Sequence, residues 1–346
     1  MDRLKNKYQQ AFCSAFLIGV VTLGLFSHEN MKPHGSASVL TGKLQGLYED
    51  GFSASNPLRQ SSVNIWGAFK YAILGQASNG AIVGRDDWLF TTEELSYEPD
   101  QVSNLDASVQ EIINVYAELQ DREIKLIPVI VPDKARVYEE KLKHVRGEEV
   151  SNRYYTLISK LNDNKIATIS GLSPLERNKS IADVFMRDDT HWSPFGAKTV
   201  ARHIADYIQP GAFDLVQVKT KQIDTKIFDG DLLKYVPTGF LRPYVGPAQN
   251  TIERFETTVQ NNASLFGNTA IDVVLVGTSF SAKSDWHFEG FLKQALSVDI
   301  LNMSQEGKGP FAPMRDYLKS DTFENTPPKL IIWEIPERYT TQDLPK

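Results

Sequence analysis

The stretch that most constrains this chain is residues 271–282, IDVVLVGTSFSA. Residues 272–276 are short, apolar and β-branched, which suits a parallel strand covered on both faces. The run stops at Gly277 and passes to Thr278-Ser279-Phe280-Ser281. A serine just past the carboxyl end of such a strand lies where open α/β sheets place their ligands. A tight turn there lifts a hydroxyl clear of the sheet, and nearby backbone N–H groups can hold an oxyanion. The same residues equally suit a strand end followed by a capped helix, since Ser and Thr cap helices well.

Ser279 needs a base to become a nucleophile, and the base needs a partner to orient it. His191, in Asp188-Asp189-Thr190-His191-Trp192, fits the first role. Asp189, two residues earlier, can curl back onto the other ring nitrogen if the loop is not helical, and Asp188 is the alternative partner. A polar surface loop would have the same composition. The other five histidines, at positions 28, 34, 144, 203 and 287, sit in no comparable setting.

Composition narrows the classes further. The 346 residues are 41% hydrophobic, enough for one large domain or one domain with an insertion. A net charge of −6 without a long like-charge run gives no basis for nucleic-acid binding. A single cysteine, Cys13, excludes an intramolecular disulfide. There is no zinc-spaced Cys/His cluster and no dinucleotide or Walker loop, so neither a metal nor a cofactor is expected.

At the amino terminus, Arg3, Lys5 and Lys7 precede an uncharged run at 11–26. Basic residues before an apolar run keep that end in the cytoplasm and send the rest across. The run has 16 residues, short of the ~20 of a typical spanning helix. No small-x-small cleavage site follows at the right distance. We therefore expect an uncleaved inner-membrane anchor over 1–30, with a cleaved signal peptide as the alternative. Residues 31–60, rich in Gly, Ser and Asn, read as a stalk.

Residues 61–346 read as the catalytic domain. Helices are expected near 62–76, 107–121, 151–162, 193–208, 285–296 and 313–318, from apolar residues at helical spacing. Strands are expected at 125–132, 165–169, 272–276, 298–302 and 329–333, with a strand pair around Arg85-Asp86-Asp87. Pro128 argues against a central position for its strand unless it sits at a bulge or near the start. Helix and strand alternating in this way predict an α/β fold. Residues 211–268, rich in Thr, Gln, Lys and Asp, read as an insertion of irregular or short β structure.

Several of these segments together resemble the alginate O-acetyltransferase family, periplasmic SGNH-hydrolase-like enzymes of exopolysaccharide acetylation. The segments are Gly84 to Phe90, Val131-Pro132-Asp133-Lys134-Ala135-Arg136-Val137-Tyr138, Asp189-Thr190-His191-Trp192-Ser193-Pro194-Phe195-Gly196-Ala197, Val276-Gly277-Thr278-Ser279-Phe280-Ser281 and Trp333-Glu334-Ile335-Pro336-Glu337-Arg338-Tyr339. The resemblance implies a three-layer fold around a mostly parallel sheet. The Asp-x-His stretch precedes the serine, a permuted order relative to ordinary SGNH esterases. It further implies a Ser279–His191–Asp189 triad that passes acetyl through an acetyl-serine to a glycan hydroxyl in the periplasm. The backbone N–H of Ser279, Gly307 or Gly309, and the Tyr339 hydroxyl are candidate oxyanion donors. Trp192 is a candidate for stacking on a sugar. Lys134, Arg136 and Arg338, with Arg85, are candidates for lining a groove for an acidic glycan. The acetyl donor would be a membrane-bound O-acyltransferase, working with other polysaccharide secretion and modification proteins. A carbohydrate acetylesterase with the same triad and a non-catalytic polysaccharide-binding scaffold are the alternatives. The polymer and the hydroxyl acetylated are not encoded in these motifs.

Overall fold

The computed structural model describes residues 2–29, 43–208, 213–260 and 271–344. They fall into two compact units, one of Met1–Leu74 with Pro237–Gly246, the other of Gly75–Val236 with Pro247–Lys346. The first unit is helical. Among the described residues its helices include Asp2–Glu29, Lys43–Ser55, Arg59–Phe69 running on into a π-helical turn, Lys70–Leu74, and the short Arg242–Val245. The Ser55 hydroxyl donates to the Ser27 carbonyl, and the backbone of Gly67 closes against Pro237.

The expected membrane anchor is not shown. Residues 11–26 lie inside the helix Asp2–Glu29, and among the described residues no helix is long and apolar enough to cross a membrane. The uncharged run is simply shorter than a bilayer core requires. Residues 31–42 of the expected stalk lie outside the described residues. Residues 43–55 are helical instead, with Leu44, Leu47, Tyr48 and Phe52 at helical spacing.

Among its described residues the second unit has nine strands: β1 (Ala81–Val83), β2 (Leu89–Thr91), β3 (Lys125–Val131), β4 (Ile169–Ser170), β5 (Gln217–Phe228), β6 (Asn250–Gln260), β7 (Val273–Val276), β8 (Ile300–Asn302) and β9 (Leu330–Pro336). Five of them form a sheet in the order β4-β3-β9-β7-β8, and each neighbouring pair is parallel. Every residue of β7 and β9 is buried, as expected of strands covered on both faces. β7 lies between β9 and β8, so the loop that follows it emerges with a neighbouring loop on each side.

Pro128 sits within β3 and pairs across to Trp333 of β9. The Lys125 N–H donates to Lys329 on the β9 side, and strand N–H groups alternate sides, so Pro128 faces β4. The β4 pairing begins only at Val129, so the missing donor costs no ladder bond.

The insertion holds a longer structure than expected. Strands β5 and β6, of 12 and 11 residues, form an antiparallel pair with a register shift between Gln222 and Asp224. Residues 211–212 and 261–268 lie outside the described residues. One face of the pair rests on the helix Phe288–Leu296: the ring of Phe255 meets Phe291 edge-on at 5.0 Å. Much of the rest is solvated, and its polar composition follows from that.

Candidate active site

Ser279 opens a single helical turn, Ser279–Ala282, directly beyond β7. Thr278 is the N-cap in extended conformation, and its hydroxyl accepts the Phe280 N–H at 3.2 Å. The local sequence thus does both things it suggested: it caps a helix and presents a serine. No acceptor among the described residues meets the Ser279 N–H.

His191 arrives from a tight reversal. Phe185 bridges antiparallel to Trp192, Met186 N–H donates to the His191 carbonyl at 3.1 Å, and Ser193 N–H donates to Val184 at 3.0 Å. Ser193 then caps the helix Pro194–Ile208 through the Gly196 N–H. A methyl group on Gly196 would overlap the Val184 carbonyl oxygen. Gly196→Ala should therefore cost about 1–3 kcal/mol, as overpacking does. Urea unfolding measures this as a lower midpoint.

The two loops meet. His191 Nε2 lies 2.6 Å from Ser279 Oγ, and His191 Nδ1 lies 2.5 Å from Asp189 Oδ1. The carboxylate assigns the ring proton to Nδ1 and leaves Nε2 to accept from the serine hydroxyl. The imidazole is packed between Phe280, with centroids 4.7 Å apart, and Trp286, stacked at 5.2 Å. Burial alone would raise the Asp189 carboxyl. The hydrogen bond and charge of His191, with the N–H groups of Asp231 and His191, hold it low instead, at about 2. Asp189 is thus an anion at neutral pH.

Residues that sequence reasoning did not single out hold this loop. Asp231 N–H donates to Asp189 Oδ2 at 2.8 Å. Its carboxylate in turn accepts the Thr190 N–H and hydroxyl, at 2.9 and 2.7 Å. Asp231 comes from the polar insertion, 42 residues away, where nothing marks it. Asp189, His191 and Asp231 also bring donor atoms within 4.8 Å of one another, as a metal site would. Each carboxylate is already taken up by N–H and O–H donors, however, and that favours a hydrogen-bonded relay. Glu334, within β9, is buried beneath Thr278 and Ser281.

Other candidates have different places from those expected. Trp192 is wholly buried and donates from Nε1 to the Phe280 carbonyl at 3.1 Å, so it braces the serine turn and cannot stack on a sugar. Lys134 is also wholly buried. Its ammonium donates to the carbonyls of Met186, Arg187 and Asp189, at 3.2, 3.4 and 2.7 Å, and so pins the His191 loop. Arg136 is paired with Glu337 inside the protein. Arg338 is buried too, its guanidinium over the rings of Phe280 and Tyr339. None of these three cations lines an open groove. Of the four, Arg85 alone is exposed. Gly307, Gly309 and Tyr339 line one cavity of about 390 Å³, formed by the loops after β8 and β9. Those two loops flank the Ser279 turn.

Known proteins share this fold. Residues 81–337 match the family described as the SGNH hydrolase-like domain of the acetyltransferase AlgX. The chain belongs to this alginate O-acetyltransferase family. It is 33% identical to "Probable alginate O-acetylase AlgJ" of Pseudomonas aeruginosa, over 97% of this chain and 90% of that protein. The solved O-acetyltransferase domain of Pseudomonas putida AlgJ superposes with a TM-score of 0.70 at 32% identity, covering 77% of this chain and 94% of that one. Pseudomonas aeruginosa AlgX superposes with a TM-score of 0.60 at 26% identity, covering 76% of this chain and 63% of that one.

Proposed function

We propose that this protein transfers acetyl groups to hydroxyls of an alginate-like polysaccharide in the periplasm, through an acetyl-serine at Ser279. The observation that carries the reading is the continuous contact from Asp189 through His191 to the Ser279 hydroxyl. The names of the AlgJ relatives support acetyl transfer and alginate as the acceptor.

In the first half, Ser279 Oγ attacks the acetyl carbonyl of the donor while His191 Nε2 takes the hydroxyl proton. The tetrahedral intermediate collapses, and the donor's leaving group departs with that proton. In the second half, a sugar hydroxyl gives its proton to Nε2 and attacks the acetyl-serine. Collapse returns the proton to Ser279 and leaves the sugar ester. Asp189 keeps the ring oriented and offsets the imidazolium charge. The Ser279 N–H is the first oxyanion donor, and a donor from Gly307, Gly309 or Tyr339 would complete the hole. The acetyl supply would be a membrane-bound O-acyltransferase, because acetyl thioesters are made on the other side of the membrane.

Acetyl release from an aryl acetate, measured with and without a mannuronate oligosaccharide, tests the reading. Ester formation on the sugar at the expense of free acetate is expected. Acetate release that ignores the sugar would instead make the protein an acetylesterase.

A further inference from the structure

Glu334 is a fully buried carboxylate that the steps above do not use. It lies in β9, one residue past Trp333, which pairs with Val276 at the end of β7. Its Oε2 accepts the Thr278 N–H at 2.7 Å and the Ser281 hydroxyl at 3.0 Å. The Thr278 hydroxyl lies 3.1 Å from each carboxylate oxygen. The carboxylate therefore grips the residue before Ser279 and the residue two after it. It passes so close beneath Gly277 that a methyl group there would overlap Oε2. Glycine at 277 is explained by this approach and needs no special backbone angle.

We propose that Glu334 is a positioning residue for the acetyl-transfer reaction, holding the Ser279 turn so that the hydroxyl faces His191 and the first-turn N–H faces the oxyanion. This rests on the acetyl-serine reading above. The Thr278 hydroxyl gives its proton to Glu334, which leaves an oxygen lone pair for the Phe280 N–H. One carboxylate thus sets both the cap and the start of the turn. All three of its partners donate, so only the ionised form satisfies them together. A protonated carboxyl brings a proton of its own, and the Thr278 N–H cannot turn round to accept it. From the β7 turn the carboxylate meets hydroxyls and an N–H. The charge facing it, from the 3-10 turn Glu337–Thr341 that follows β9, is Arg338. Burial pushes the Glu334 carboxyl up to about 7, against the Thr278 and Ser281 bonds and Arg338. The grip therefore loosens as the pH falls through neutrality and tightens above it.

Glu334→Gln is the test. Glutamine keeps the shape: its carbonyl, in the place of Oε2, can accept the Thr278 N–H and the Ser281 hydroxyl, but its amide then faces the Thr278 hydroxyl as a donor and turns that bond round. Burst amplitude with an aryl acetate counts the folded, reactive sites, so turnover is read per active site. We expect kcat per site to fall on the order of tenfold to a hundredfold at pH 8, with KM within about twofold, as small misplacements of a reacting group do. The acid limb of log kcat against pH should fall more steeply in the natural protein, where Glu334 titrates, than in the variant. Unchanged kcat per site with the same acid limb overturns the proposal. So does a loss confined to burst amplitude or to KM, which would make Glu334 a packing residue only. Glu334→Ala, which leaves three donors unmet, should be worse than Glu334→Gln in kcat per site, and equal values also overturn it. Absence of any acetyl-serine in the natural protein would defeat the acetyl-serine reading itself, a separate result.

Discussion

Ser279→Ala should abolish acetyl transfer while leaving the protein folded. The loss expected is on the order of 10⁴-fold or more in kcat, the scale on which removal of a serine nucleophile acts in relays of this type. The structural cost is small because Oγ makes one hydrogen bond, to His191 Nε2, and alanine suits the first position of a helical turn. Losing that bond costs about 1 kcal/mol. The variant should unfold within a few degrees of the natural protein and show no acetyl adduct by mass spectrometry after exposure to an aryl acetate. His191→Ala should be nearly as deep, and the double variant no deeper, because the two groups act as one unit. The contrast also separates enzyme from scaffold. A scaffold would keep supporting acetylation in cells with alanine at 279, whereas an enzyme would keep only its binding and assembly. Persistent acetylation by Ser279→Ala would remove the acetyl-serine from the mechanism.

The parts of this site legible in the sequence are those whose geometry is local. The β-branched run before Gly277 declares a buried strand, and Thr278-Ser279 declares a turn. Asp189 and His191 stand two residues apart, which suffices for a carboxylate to reach a ring in a non-helical loop. Glu334 is different. On the page it is one acidic residue after an apolar run, and only the pairing of β9 with β7 puts it beneath Ser279. Lys134, Arg136 and Arg338 belong to residue types that are almost always exposed unless paired, so the sequence favours a surface role. Lys134 finds backbone carbonyls, Arg136 a glutamate 201 residues away, and Arg338 the rings of Phe280 and Tyr339. Trp192 adjoins the base in sequence, but its rotamer sends the indole into the core. The strands β5 and β6 leave a weak sequence signal for a related reason. With one face half-buried and the other in water, they lack the clean alternation that marks a strand.

Glu337→Ala should produce the largest loss of stability, about 3–5 kcal/mol, because it strips the counter-charge from buried guanidinium groups. Oε1 of Glu337 accepts from Arg136 at 2.6 Å, Arg153 at 3.1 Å and Arg146 at 3.5 Å. Oε2 accepts from Arg136 Nε at 2.8 Å and from the Asp133 N–H at 3.1 Å. Asp133 shares Arg146 and Arg153. Without Glu337, three buried cations would face that one carboxylate. The stabilisation lies in completing the set; replacing the whole network by apolar residues of similar volume could be neutral. The network joins the end of β9 to the loop after β3, whose next residue is Lys134, the pin of the His191 loop. Its loss should therefore also lower activity per folded molecule. The pH dependence has a definite sign. Burial would raise the Glu337 carboxyl, but the hydrogen bonds and charges of Arg136, Arg153 and Arg146 hold it at about 2. Since the folded value lies below the unfolded one, near ~4.3, its contribution is complete above that range. It fades as the pH falls toward about 2. Urea unfolding at pH 7 and near pH 3 measures both claims. The gap between natural protein and variant should be large at pH 7 and narrower near pH 3. A gap under about 1 kcal/mol at pH 7 would place Glu337 among ordinary surface-like pairs, and the buried network would then not be what holds these loops together.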